Sequence, residues 1–118
     1  MIVGIIGLGL IGGSMAIDLK RRGFARIVLG VEADPVNAAA AERMELVDEI
    51  VPFEECVRRS DITVIAIPVG SAVKMLPQVL DIFKEEGNGK KIVIDTCSTK
   101  SNIVRAAHYH PLRCRFVA

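Results

Sequence analysis

Short apolar runs rich in β-branched residues alternate along the whole chain with longer stretches whose apolar positions recur at helical spacing. The runs predict strands at Ile2–Ile6, Ile27–Val31, Glu49–Val51, Ile62–Ile67, Ile92–Ile94 and Arg115–Val117. Helices are predicted between them. The first covers about Leu10 to Arg22 and stops at Gly23, a residue suited to the position past a helix end. The second begins at Pro35, with Asp34 as its cap, and continues to Met44. A short third spans Glu54–Arg59. The fourth runs over about Ser71–Phe83, with a kink or break expected at Pro77 and an end by Gly87-Asn88-Gly89. The last extends from about Thr99 to Tyr109, ahead of Pro111. No internal repeat, low-complexity tract or linker interrupts this pattern, which predicts one domain over residues 1–118.

Strand–helix alternation of this kind builds βαβ units on a parallel sheet. The predicted class is α/β, a doubly wound and mainly parallel six-stranded sheet of order 3-2-1-4-5-6. Its ligand crevice would lie outside the carboxyl ends of strands one and four. A hydrophobic content of 51% suits a sheet covered on both faces.

The opening run MIVGIIGLGLIGGSMAI carries no charge, and three explanations compete for it. A secretory signal wants basic residues before its apolar core, but here Lys20, Arg21 and Arg22 come after it. A membrane span needs about 20 apolar residues, and this run is shorter and dense in glycine. The third explanation rests on spacing. Gly7, Gly9 and Gly12 form G-x-G-x-x-G directly behind the first predicted strand, the signature of a Rossmann-like dinucleotide loop. Gly7 permits the tight turn, Gly9 lets the backbone approach a pyrophosphate, and Gly12 lets the helix pack close to the strand. The cofactor-binding loop is thus read as Gly7, Leu8, Gly9, Leu10, Ile11 and Gly12. The N–H groups of Leu10, Ile11 and Gly12 face the anion, aided by the helix dipole, and the Ser14 hydroxyl adds a donor.

Glu32 ends the second predicted strand, where a carboxylate accepts hydrogen bonds from the adenosine ribose and repels a 2′-phosphate. Asp34 adds negative charge, and the next arginine is Arg43, so NAD is expected rather than NADP. The alternative is an ordinary exposed charge at a strand end. After the fourth strand, Ile67, Pro68 and Val69 either wall the nicotinamide half of the crevice or simply terminate the strand.

Charge changes little in this picture. Lys+Arg number 15 against 14 Asp+Glu, a net charge of +1, which leaves no footprint for nucleic acid or an anionic membrane. One Tyr, four Phe and no Trp argue against a base-stacking surface. Cys56, Cys97 and Cys114 are odd in number and widely spaced, which fits a reducing cytoplasm and neither a disulfide framework nor a metal site.

Three segments together resemble one family: GLGLIGGSMA after the first strand, VIAIPV at the fourth and DTCSTK after the fifth. They are similar, in order and over essentially the whole chain, to the nucleotide-binding domain of prephenate and arogenate dehydrogenases. The glycine loop alone is shared with many β-hydroxyacid dehydrogenases and reductases, but its combination with D-x-x-S-x-K is more specific. The resemblance implies an NAD-dependent oxidoreductase of tyrosine biosynthesis. Its small-molecule substrate would be prephenate, or its amino counterpart arogenate, oxidised with loss of CO₂.

It also implies a serine of the D-x-x-S-x-K segment beside the substrate, here Ser98, which equally suits the N-cap of the last helix. Lys100, in the first turn of that helix, opposes the macrodipole by about 0.3–1 kcal/mol. Either an anionic ligand such as the substrate lies nearby, or the lysine faces solvent. Cys97 is read as packing. The family's histidine follows strand six in a His-Pro segment. The His-Pro here, His110-Pro111, precedes that strand and is expected at the opposite, amino-terminal edge as a decoy, with His108 on the surface. The family's helical domain, through which a full-length enzyme would homodimerise, has no counterpart among these residues. The chain is therefore expected to be a truncated cofactor half, with NAD binding, little or no turnover alone, and weak self-association. A related β-hydroxyacid dehydrogenase or reductase, or a non-catalytic NAD-sensing module, are the alternatives.

Overall fold

The computed structural model describes residues 1–87 and 89–118; Asn88, named above at the end of the fourth helix, lies outside them. Its elements run β1 (Ile2–Ile6), α1 (Leu10–Arg21), β2 (Ile27–Val31), α2 (Pro35–Arg43), β3 (Glu49–Ile50), α3 (Phe53–Arg59), β4 (Ile62–Ile65), α4 (Val69–Glu86), β5 (Ile92–Asp95), α5 (Ser101–Ala107) and β6 (Phe116–Val117). A 3₁₀ turn at Arg113–Arg115 leads into β6. The six strands form one sheet of order β3-β2-β1-β4-β5-β6. Every pairing is parallel, with Ile6 beside Val31 on one side and beside Ile65 on the other. The order reverses between β1 and β4, so their carboxyl ends open a crevice.

Helices cover both faces of the sheet. On one face Ala16 of α1 and Ala41 of α2 pack against Val3, Ile5, Val28 and Val64. On the other, Leu76, Leu80 and Phe83 of α4 and Ile103 of α5 pack against Ile6, Ile65 and Val93. The second α-helix begins as expected, with Pro35 in its first turn and the Asp34 side chain accepting from Val36 N at 2.8 Å.

The fourth helix departs from expectation. It starts at Val69 and runs to Glu86 with Pro77 inside it. A proline there removes a hydrogen bond and costs about 3 kcal/mol. The buried face of α4 includes Leu76, Val79, Leu80 and Phe83, each worth about 1.5–3 kcal/mol on burial, so packing outweighs the break signal. Gly87 then ends the helix with φ +67°. The strand before it is also shorter than expected, stopping at Ile65.

Among the described residues, one buried side-chain polar atom has no partner. Thr63 Oγ1 is enclosed on β4 and makes no hydrogen bond. An enclosed, unsatisfied hydroxyl costs about 1–3 kcal/mol. Thr63→Val keeps the branched shape and is expected to raise stability by about 1 kcal/mol in urea denaturation. A loss of stability would show that the hydroxyl contributes something beyond its bulk. Among the described residues no helix is long and apolar enough to cross a membrane, and no three His, Cys, Asp or Glu side chains gather as a metal site.

Candidate functional site

The glycine loop bridges β1 and α1 at the crevice. Gly7 has φ +98°, and a Cβ there would lie 2.5 Å from Ala66 O, so a side chain is excluded on both counts. Its N–H donates to Val31 O at 2.8 Å, which ties the loop to the end of β2. A Cβ at Gly12 would come within 1.9 Å of Gly7 O, so the helix can meet the loop this closely only through glycine.

Gly9 differs from both. A Cβ there would meet nothing within 4 Å, so the backbone borders open space. The first bond of α1 is Gly13 N–H to Gly9 O at 2.8 Å. The N–H groups of Leu10, Ile11 and Gly12 therefore have no partner within the helix and lie at its positive end. No acidic residue occupies the first turn to compete for them. An anionic group fits this cradle. Ser14 does not add a donor to it: its Oγ donates back to Leu10 O at 2.7 Å. The loop had been expected to gain that hydroxyl, but a helical serine reaches the carbonyl one turn earlier with little cost.

Glu32 follows β2 and points at the loop. Its Oε1 accepts Leu8 N–H at 2.7 Å and its Oε2 accepts Asp34 N–H at 3.0 Å. Leu8 is itself buried in the α1–α2 side of the core. Two cavities flank the crevice. One of about 410 Å³ lies between Gly9–Ile11, the Ala66–Val69 turn and the Thr96–Thr99 loop, with Ser98 in its wall. The other, about 270 Å³, is bounded by Gly7, Glu32, Ala33, Ser71 and Met75. Ile67 and Pro68 line both. The turn expected as a wall for one half of the crevice is thus a ridge between two halves.

The D-x-x-S-x-K segment is organised by its aspartate, which pattern reading had not singled out as a site residue. The Asp95 side chain is fully buried at the end of β5 and receives Lys100 Nζ at 2.9 Å on each oxygen. Its Oδ2 also accepts Cys97 N–H at 2.9 Å, an Asx turn that bends the chain out of the strand. The anion that Lys100 calls for is therefore supplied by this chain. Ser98 is not the cap of the last helix either. Lys100 occupies that position without a side-chain bond, because the Asp95 turn delays α5 to Ser101. Ser98 is left exposed on the cavity wall.

Cys97 lines the same cavity, but burial, and secondly the Asp95 carboxylate, push its thiol above the usual range. It stays protonated at neutral pH and packs. His110 lies far down the fold, where Nε2 meets Asp81 Oδ1 at 2.7 Å and Nδ1 accepts Leu112 N–H at 3.0 Å. Asp81 sits in the second half of α4, which descends from the carboxyl edge of the sheet, so the decoy reading agrees with its placement. His108 stacks edge-on against Tyr109 just past α5. Neither histidine lines the two cavities.

The chain as a whole is similar to known proteins. A prephenate dehydrogenase of Lactococcus lactis subsp. cremoris (strain MG1363) is 32% identical over 104 residues, covering 88% of this chain and 28% of its own length. The chain spans less than a third of the curated relatives it matches. Among solved structures, Synechocystis arogenate dehydrogenase superposes with a TM-score of 0.78 at 28% identity, covering 94% of this chain and 38% of that one. Prephenate dehydrogenase from A. aeolicus, in complex with hydroxyphenyl propionate and NAD+, gives a TM-score of 0.75 at 24% identity over 98% of this chain and 40% of that one. The family model described as prephenate dehydrogenase, nucleotide-binding domain, matches residues 15–118, and the chain belongs to that family.

Proposed function

We propose that this chain is the NAD-binding part of a dehydrogenase that oxidises and decarboxylates prephenate, or arogenate, on the route to tyrosine. The observation that carries the reading is the open cradle at Gly9, faced by the N–H groups of Leu10, Ile11 and Gly12 and flanked by Glu32. The dinucleotide, when bound, supplies a hydride acceptor. The loop from Gly7 to Gly12 would hold its pyrophosphate, and Glu32 its adenosine ribose. Met75 and the Ile67–Pro68 ridge would border the adenine in the smaller cavity, with Pro68 and Val69 walling the nicotinamide in the larger. Ser98 lines that larger cavity, which supports a place for it beside the substrate hydroxyl. Lys100 is already paired with Asp95, so it would meet an anionic substrate only by loosening that pair.

Glu32 and Asp34 favour NAD over its 2′-phosphorylated relative, because two carboxylates repel that phosphate. Calorimetric titration of residues 1–118 is expected to show NAD+ binding at least about tenfold tighter than NADP+, the effect of about 1.4 kcal/mol of repulsion. No prephenate-dependent NADH formation is expected from these residues, since no histidine among those described reaches the crevice. Absence of NAD+ binding at millimolar concentration, or preference for NADP+, would overturn the reading. Turnover by this chain would show that a base other than histidine acts here.

A further inference from the structure

We propose that Glu32 is a positioning residue for the phosphate-binding loop, and that its bond to Leu8 N–H holds the loop in the shape that presents the Leu10, Ile11 and Gly12 N–H groups. The inference rests on the nucleotide reading above and adds a second task to a residue otherwise assigned to the ribose.

Four observations carry it. The carboxylate meets Leu8 N–H at 2.7 Å, a short charge-assisted bond, from the residue just past the end of the neighbouring strand β2. Leu8 lies between Gly7, which must hold φ +98°, and Gly9, whose backbone borders the open cradle. A bond to Leu8 N–H therefore fixes the Gly7–Leu8 peptide plane, one residue before the Gly9 backbone that borders the cradle. The second oxygen is occupied as well, by Asp34 N–H at 3.0 Å, so the carboxylate spans the glycine loop and the β2–α2 turn together. The Leu8 side chain adds to the constraint: it packs so tightly on β2 that a Cβ at Gly30 would lie 2.7 Å from its Cδ1. Backbone and side chain of Leu8 are thus fixed from β2 and the residue that follows it. Each carboxylate oxygen keeps a further lone pair for a ligand hydroxyl, so bracing and ribose recognition are compatible.

A ligand that reaches a fractionally populated loop shape binds more weakly by that fraction. Loss of the brace therefore weakens ligands that have no ribose hydroxyl for Glu32 to contact. The discriminating probe is 2′,3′-dideoxy-ADP, compared with ADP and NAD+ by calorimetry on wild type, Glu32→Ala and Glu32→Gln. Glu32→Ala is expected to weaken dideoxy-ADP about tenfold, the loss for one charge-assisted bond that orders the loop. Glu32→Gln retains one acceptor oxygen for Leu8 N–H and is expected to recover most of that loss. In ¹H–¹⁵N spectra without ligand, the Leu8 amide is expected to move upfield in Glu32→Ala and to return toward its wild-type position in Glu32→Gln.

Unchanged dideoxy-ADP affinity in Glu32→Ala, beside a loss for ADP, would overturn the brace and leave a ribose contact alone. Equal losses in Glu32→Ala and Glu32→Gln would overturn it too, since the amide retains the acceptor. If wild type binds neither ADP nor NAD+, the nucleotide reading falls. The Leu8 amide still decides the brace in that case, because an unmoved resonance in Glu32→Ala excludes it.

Discussion

Gly12→Ala is expected to weaken NAD+ binding about a hundredfold or more, the equivalent of losing about two charge-assisted hydrogen bonds. It is also expected to lower domain stability by about 1–3 kcal/mol, as overpacking does. The new Cβ would lie 1.9 Å from Gly7 O and 3.0 Å from Gly7 C, both backbone atoms of a turn that cannot swing aside. The start of α1 must therefore retreat from β1, and the N–H groups at its positive end leave the cradle with it. Gly9→Ala separates the two effects. Its Cβ meets no protein atom within 4 Å, so stability is expected to stay near that of wild type while NAD+ affinity falls, because the methyl enters space the pyrophosphate would need. Thermal melts and calorimetric titration of both variants make the comparison. Wild-type affinity in Gly12→Ala would remove the glycine loop from the site.

Lys91→Met is expected to cost about 3 kcal/mol of stability in urea denaturation, the lower end of what breaking a buried ion pair costs. Lys91 opens the segment that leads into β5, and its side chain is only 6% exposed. Its Nζ pairs with Glu86 Oε2 at 2.6 Å and donates to Val57 O at 3.2 Å and to Arg58 O. Those carbonyls belong to the last turn of α3, the negative end of its dipole, while Glu86 ends α4. One cation thus joins the ends of two helices under the sheet edge. Without it, two carbonyls lose their donor and a carboxylate that is 19% exposed loses its main partner. Arg58 keeps a looser contact to Glu86 at 3.8 Å, which holds the cost to the lower end of the range. The double variant Lys91→Met with Glu86→Met is expected to be more stable than Lys91→Met alone, since it leaves no unpaired carboxylate. A cost below about 1 kcal/mol in Lys91→Met would mean that water already satisfies these groups.

Much of the fold was legible because the signals are local. The limits of β1 and β2 coincide with their apolar runs, and Asp34-Pro35 marks the start of α2 through capping chemistry that needs no tertiary partner. The break allowed for at Pro77 does not occur, because its signal is equally local while the α4 face that outweighs it is buried by the whole sheet. Ser98 misled for a related reason. Serine is a good cap in general, but the Asp95 turn had already set where α5 could begin.

By itself the sequence determined the class, the strand order and the position of the glycine loop. Apolar period, glycine spacing and the handedness of βαβ crossovers leave few other arrangements. Only the tertiary structure decided how the charged groups are engaged. Leu8 and Glu32 stand 24 positions apart and meet because β1 and β2 are neighbours. Lys91 reaches carbonyls more than 30 positions away. Lys100 turns to Asp95 because a fully buried carboxylate requires a counter-charge. Pairings of this kind depend on which surfaces the completed sheet brings together, and no periodicity along the chain encodes them.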